Sequence, residues 1–235
     1  MRAVREAPQG RREAALEVLK DGHERFGERE TLWFIREIRL ERKRAELRVQ
    51  RQKVEENRED AKLRQEYERM RADLLREQVD HLYEVVSSLP NSPERHRREM
   101  ELAGRLFEAG RFEEAIKQAQ AAKRRSGDRL DAWMVMAKSF VQLGLTPEAG
   151  ECFESILGEL NAAAGGSASV GRVLEAKYSY AEFLVQEAEK SGDVELARQA
   201  RKLCSDVMVE DIDFRGVRGL AGRADKVISA GVGSL

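Results

Sequence analysis

Apolar and small residues in the middle of this chain recur three and four positions apart, stop at a glycine, and start again. Between residues 96 and 129 the pattern runs Leu102, Ala103, Leu106, Gly110, Ala115, Ala119 and Ala122. Spacing of this kind predicts two amphipathic helices broken at Gly110, with small side chains where the helices cross and larger ones beside them. Between 130 and 163 the series returns as Trp133, Met136, Ala137, Phe140, Gly144, Ala149, Phe153 and Ile156. Gly110 and Ala115 thus reappear as Gly144 and Ala149 at an offset of 34 residues, and Gly127 is matched more loosely by the loop at 162–165. A two-helix unit repeated at that period cannot bury its apolar face alone and must stack on its neighbours. The expected class is all-α, an α-solenoid of helix pairs.

A third pair follows a Gly- and Ser-rich stretch at 161–169 that reads as a mobile loop. Its first helix carries Tyr178, Ala181, Leu184 and Val185, and its second Val194, Ala197, Ala200 and Cys204. Its turn, at Ser191 and Gly192, comes about one helical turn late, so these helices are expected to be extended. Upstream, Ala15 precedes Trp33 by the interval that separates Ala115 from Trp133, and Gly27 matches Gly127. Residues 11–27 therefore read as the second helix of a pair whose first helix is absent, the chain either beginning mid-repeat or contributing residues 2–9 only as a short lead-in. At the far end Phe214, Val217, Leu220, Ala224 and Val227 form one stripe. A helix there would cap the last pair, though its three glycines weaken it.

The segment between Trp33 and Pro93 is about 32 residues longer than the repeat allows, with neither Gly nor Pro between Gly27 and Pro90. As one helix it would span about 90 Å. Its apolar pattern is also mirror-symmetric about the Arg58–Glu59 bond: Val54 reflects onto Leu63, Leu47 onto Met70, Ile38 onto Val79, Ile35 onto Leu82 and Leu32 onto Val85. An antiparallel coiled-coil hairpin needs that symmetry, because each turn of one helix must meet an apolar partner on the other. The pattern favours an extended hairpin arm, with a single long helix as the alternative. The expected organisation is an N-terminal half-repeat at 1–28, the arm at 29–93, repeats at 94–210, and a capping helix with a flexible tail at 211–235.

Several residues of the two central units stand where the tetratricopeptide repeat (TPR) has its signature residues. Trp133 stands at position four, Ala137 at eight, Ala149 at twenty and Phe153 at twenty-four, and Ala103 and Ala115 repeat the alanines. The chain resembles that family, and its Asp211–Leu220 stretch is similar to the ending after the last repeat in uncharacterised bacterial TPR proteins. The resemblance implies Trp133 as a core anchor and a concave groove lined by first-helix positions two, five, nine and twelve. Those are Arg97, Met100, Gly104 and Phe107, then Asp131, Met134, Lys138 and Val141, then Glu175, Tyr178, Glu182 and Val185. Some family members clamp a partner's terminal carboxylate with Lys and Asn. The Asn positions are missing here, which leaves a Met, Phe, Val and Tyr stripe with a charged rim, suited to an amphipathic protein or peptide segment. The C-terminal helix folding back into that stripe is the competing occupant.

Charge changes this picture little. Charged residues make up 36% of the chain and aromatics 6%, a helical rather than a sheet composition, and 42 cations against 43 carboxylates leave no global field to draw in nucleic acid or anionic lipid. Locally, Arg36 to Lys53 holds eight cations against Glu37, Glu41 and Glu46, a net of +5. No aromatic interleaves them, so the stacking platform single-stranded nucleic acid uses is missing, and the run reads first as a helix face laced with ion pairs.

No residue pattern implies catalysis, a metal or a cofactor. His23, His81 and His96 are scattered, and there is no phosphate-binding glycine loop or nucleophile motif. Cys152 and Cys204 are expected to be reduced, buried small hydrophobes. With no signal-like or membrane-spanning apolar run, a cytoplasmic location is expected. The implied function is a non-enzymatic protein-interaction scaffold that holds a partner segment in its groove. The alternative is a structural protein that oligomerises through the arm.

Overall fold

The computed structural model describes residues 9–27, 29–125, 129–162 and 170–232. All regular structure among them is helical: ten α-helices and one 3-10 turn. The expected lead-in at 2–8, Gly127 and the loop at 163–169 lie outside the described residues. The chain divides into two compact units, Met1–Gln118 and Ala119–Leu235.

The N-terminal unit holds α1 (Gln9–Phe26), α2 (Arg29–Glu56), α3 (Ala61–Ser88), α4 (Pro93–Glu108) and the start of α5 (Phe112–Arg125). Helices α2 and α3, 28 residues each, pack along one another as a hairpin, which excludes the single long helix. Its turn needs no glycine. The Asn57 side-chain amide donates to the Lys53 carbonyl at 3.0 Å, closing the end of α2, and the Asp60 carboxylate accepts from the Lys62 and Leu63 amides at 2.9 and 3.1 Å, opening α3. Across the arm Arg36 pairs with Glu84 and Lys43 with Glu77, and the Gln50 amide donates to Glu66 at 3.2 Å. These bonds set the register within a turn of the mirror line read from the sequence. Ile35, Leu74, Val79, Leu82 and Val85 are buried at the base, whereas Leu47, Val54, Leu63 and Met70 nearer the tip are only half-covered and Leu32 is exposed.

Helix α4 starts at Ser92, whose hydroxyl accepts from the Arg95 amide at 3.3 Å, with Pro93 in the first turn where its missing N–H costs nothing. It ends at Gly110, whose φ of 73° lies in the left-handed region. The Arg111 amide then reaches back to the Leu106 carbonyl at 2.9 Å. Gly144, φ 71°, repeats this closure with Leu145 donating to Phe140 at 2.9 Å, so the glycine recurring at 34 residues is a stop the backbone conformation requires.

The C-terminal unit comprises the rest of α5, then α6 (Arg129–Gln142), α7 (Thr146–Ala162), α8 (Val170–Ser191), α9 (Val194–Glu210), a 3-10 turn (Phe214–Gly216) and α10 (Val217–Val232). From α6 to α10 each helix packs on the next, and α10 also lies against α8. Ala137, Ala149, Ala181, Ala197 and Ala200 are fully buried, the close-crossing positions expected from the pattern. Phe153 fills the space beside them, stacked on Tyr180 at 5.1 Å and tilted against Phe183 at 5.5 Å. The third pair is stretched as expected, α8 running 22 residues against 14 for α6. Val217, Leu220 and Ala224 are the buried face of α10, which covers the end of the stack despite its glycines.

Candidate functional site

The expected groove residues fall in both units, so each set stands by itself. On α4, Arg97 is exposed and paired with Glu94, Met100 is half-buried, and Phe107 lies against Phe112 at 5.6 Å. On α6 and α8 the C-terminal unit gathers the others more closely. Asp131 pairs with Arg172 at 2.6 Å, Lys138 donates to Glu175 at 3.1 Å, and Glu175 also takes Arg215 at 2.6 Å. Met134 lies one turn from Lys138 and opens into a cleft of about 270 Å³ between α6, α7 and α8. Leu130, Met134, Ile156, Leu160 and Ala176 supply its apolar wall, and Asp131, Arg172 and Glu175 its polar edge.

Farther along α8, the Tyr178 hydroxyl donates to the Arg215 carbonyl at 3.1 Å and its ring meets Phe214 edge-on at 5.8 Å. Burial, and then the neighbouring Glu182 carboxylate, push the Tyr178 phenol up from its ordinary value. Arg215 itself sits at φ 43°, a left-handed conformation that these bonds hold in place. The turn before α10 therefore covers the Tyr178 end of the stripe, while α10 packs on α8 and α9. Glu182 and Val141 are half-buried. Val185 is fully buried and belongs to the core rather than to a groove surface, because the longer α8 turns that position inward.

Trp133 departs from the expected core anchor: it is half-buried, with the Lys123 ammonium over its ring at 3.5 Å. The cation rests against one indole face, and the indole Nε1 is buried with no hydrogen-bond partner among the described residues. Two features had no sequence signal. In the N-terminal unit, a polar cavity of about 290 Å³ is lined by His81, Gln78, Arg44 and Arg98, with Arg98 pairing with Glu37 at 3.0 Å. His81 is 4% exposed, neither ring nitrogen has a hydrogen-bond partner among the described residues, and burial lowers its pKa from 6.5. In the same unit, a cleft near the end of α4 is ringed by arginines. Cys152 and Cys204 are free and buried, with burial pushing both thiols up to about 11. Among the described residues no cluster of His, Cys, Asp or Glu is arranged to hold a metal, and no helix is long and apolar enough to cross a membrane.

No protein-family model matches the chain, and no curated protein compared with it matches. Among solved structures, it is similar to a de novo designed helical repeat protein at 19% identity, with 83% of this chain and 94% of that chain covered and a TM-score of 0.26.

Proposed function

We propose that this chain is a non-enzymatic, TPR-like scaffold of the cytoplasm that captures an apolar segment of another protein in the α6–α7–α8 cleft. The observation that carries the reading is the Met134 cleft, where a flexible thioether and four aliphatic or small side chains form an adaptable wall. Asp131, Arg172 and Glu175 form its polar edge, Asp131 paired with Arg172 and Glu175 with Lys138, which offers a bound backbone or polar side chain hydrogen-bonding groups. In the N-terminal unit, Arg97, Met100 and Phe107 form a stripe of similar character on α4. Replacing Met134 with Glu places an unpaired carboxylate against the apolar wall. It should abolish co-purification of a partner that the unaltered chain retains, with the helical circular dichroism preserved. Retention of that partner by the Met134→Glu chain would refute the cleft as the site.

Oligomerisation through the arm is the second reading, supported by the half-covered Leu47, Val54, Leu63 and Met70 toward its tip together with the exposed Val49. Light scattering at micromolar concentration separates the two, since a monomer leaves no role for pairing between arms.

A further inference from the structure

Helix α4 is 16 residues long, about 24 Å, whereas each arm helix is 28 residues, about 42 Å. It therefore covers only the base of the hairpin against which it packs. Past its last turn, marked by Arg105 and Glu108, the seam of the hairpin stays open as a cleft of about 310 Å³ with Leu47, Tyr67 and Leu75 half-exposed in it. From there to the tip, α3 continues for about four turns, roughly 20 Å. Among the described residues, the cleft is lined only by α2, α3 and the end of α4.

Arginines dominate the rim of the opening. Arg44, Arg48 and Arg51 line it from α2, Arg71 from α3 and Arg105 from α4, against one lining carboxylate, Glu108. Four of these arginines are paired on their own helices: Arg44 with Glu41, Arg51 with Glu55 at 2.8 Å, Arg71 with Glu68 at 3.3 Å and Arg105 with Glu108 at 2.8 Å. Arg48 makes no ion pair among the described residues. Solvated pairs of this kind contribute little and exchange readily for a better-placed carboxylate, and guanidinium groups suit two-pronged carboxylate binding.

We propose that this overhang is a docking site, distinct from the Met134 cleft, for an acidic amphipathic helix of a partner protein. The partner's apolar stripe sits on Leu47, Tyr67 and Leu75, continuing the packing that α4 begins, and its flanking Glu or Asp side chains meet the arginine rim. Charge complementarity selects the partner. The aliphatic floor, with Tyr67 its one aromatic, offers little for bases to stack on and favours protein over nucleic acid.

The test uses the full chain and a labelled helical peptide with leucines on one face and glutamates on the other, followed by fluorescence anisotropy. Its controls are the same peptide with lysines for glutamates, and oligouridine RNA. The acidic peptide should bind and the lysine peptide should not. The Arg48→Glu/Arg71→Glu chain should lose about tenfold or more in affinity, while Met134→Glu leaves it unchanged. If the double variant fails to fold by circular dichroism, Arg48→Gln/Arg71→Gln should show the same direction of loss. Equal binding of both peptides, no binding of the acidic one, or no effect of the arginine changes would overturn the proposal. So would RNA binding more tightly than the peptide, or self-association that disappears in the same variants.

Discussion

Replacing Phe153 with Ala removes the largest fully buried side chain of the C-terminal unit. Phe153 is 2% exposed and stands where α7 meets α8, its ring against both Tyr180 and Phe183. The substitution removes the transfer free energy of a whole aromatic ring and leaves a cavity that three helices cannot close without moving. Together these should destabilise the unit by about 3–5 kcal/mol, of which the two ring contacts account for roughly 1–2 kcal/mol. Stacked helix pairs couple to their neighbours, so the loss should spread along α6 to α10 rather than stay at one turn. Trp133 reports on this unit once Trp33, on α2, is changed to Phe. In urea, with a slope near 2 kcal/mol/M, the Trp133 transition should fall by about 2 M, whereas Phe153→Leu, which keeps most of the volume, should shift it by well under 1 M. A shift below about 0.5 M for the alanine variant would mean that Phe153 is not packed as the stacking distances require.

His81 is neutral in the folded chain because burial, reinforced by Arg36 and Arg98, outweighs the pull of Glu37 and Glu84. The unfolded chain takes up that proton near pH 6.5 and the folded chain only at lower pH. Stability should thus be full above about 6.5 and decline below it until the folded value is passed. His81→Phe should flatten urea midpoints between pH 7 and 5; an unchanged slope would contradict this account. Cys152 and Cys204, buried with thiols held up to about 11, should react with Ellman's reagent only after denaturation, and prompt reaction of either in buffer would refute its placement. Gly144→Ala has room for its methyl group, but φ 71° strains any L side chain, so the melting profile should show a loss of about 1 kcal/mol. No loss would mean the turn does not need a left-handed residue.

Local, periodic signals made most of the helix pairs legible in the sequence. Gly110 and Gly144 mark turns that demand a left-handed backbone, and the buried alanines mark crossings that admit nothing larger. The arm could be read as a hairpin because its mirror symmetry is a property of one continuous segment. Its turn was harder to see, since Asn57 and Asp60 close it through side-chain hydrogen bonds that leave no glycine signature. Contacts between distant helices were not legible. Asp131 with Arg172 and Lys138 with Glu175 depend on the register of α8, which follows a loop of no fixed pattern. Val185 was placed on the groove because the family spacing does not anticipate how far α8 is stretched. Trp133 occupies the expected slot, yet it is only half-buried and carries the Lys123 ammonium over its ring. The arginine-rimmed opening arises from a mismatch in length between α4 and the arm, a quantity that no residue spacing expresses.

Site-specific photo-crosslinking from residue 134 tests the central claim most directly. A photoreactive phenylalanine analogue at that position, in the full chain expressed in its native cells, places the reactive group at the mouth of the α6–α7–α8 cleft. The expected result is a discrete covalent adduct to a different protein, with the crosslink mapping to an apolar segment of it and disappearing when the half-exposed Leu130 of the same cleft is changed to Glu in a chain that still folds. Adducts only within the chain or to a second copy of it, or none above background, would contradict the scaffold reading.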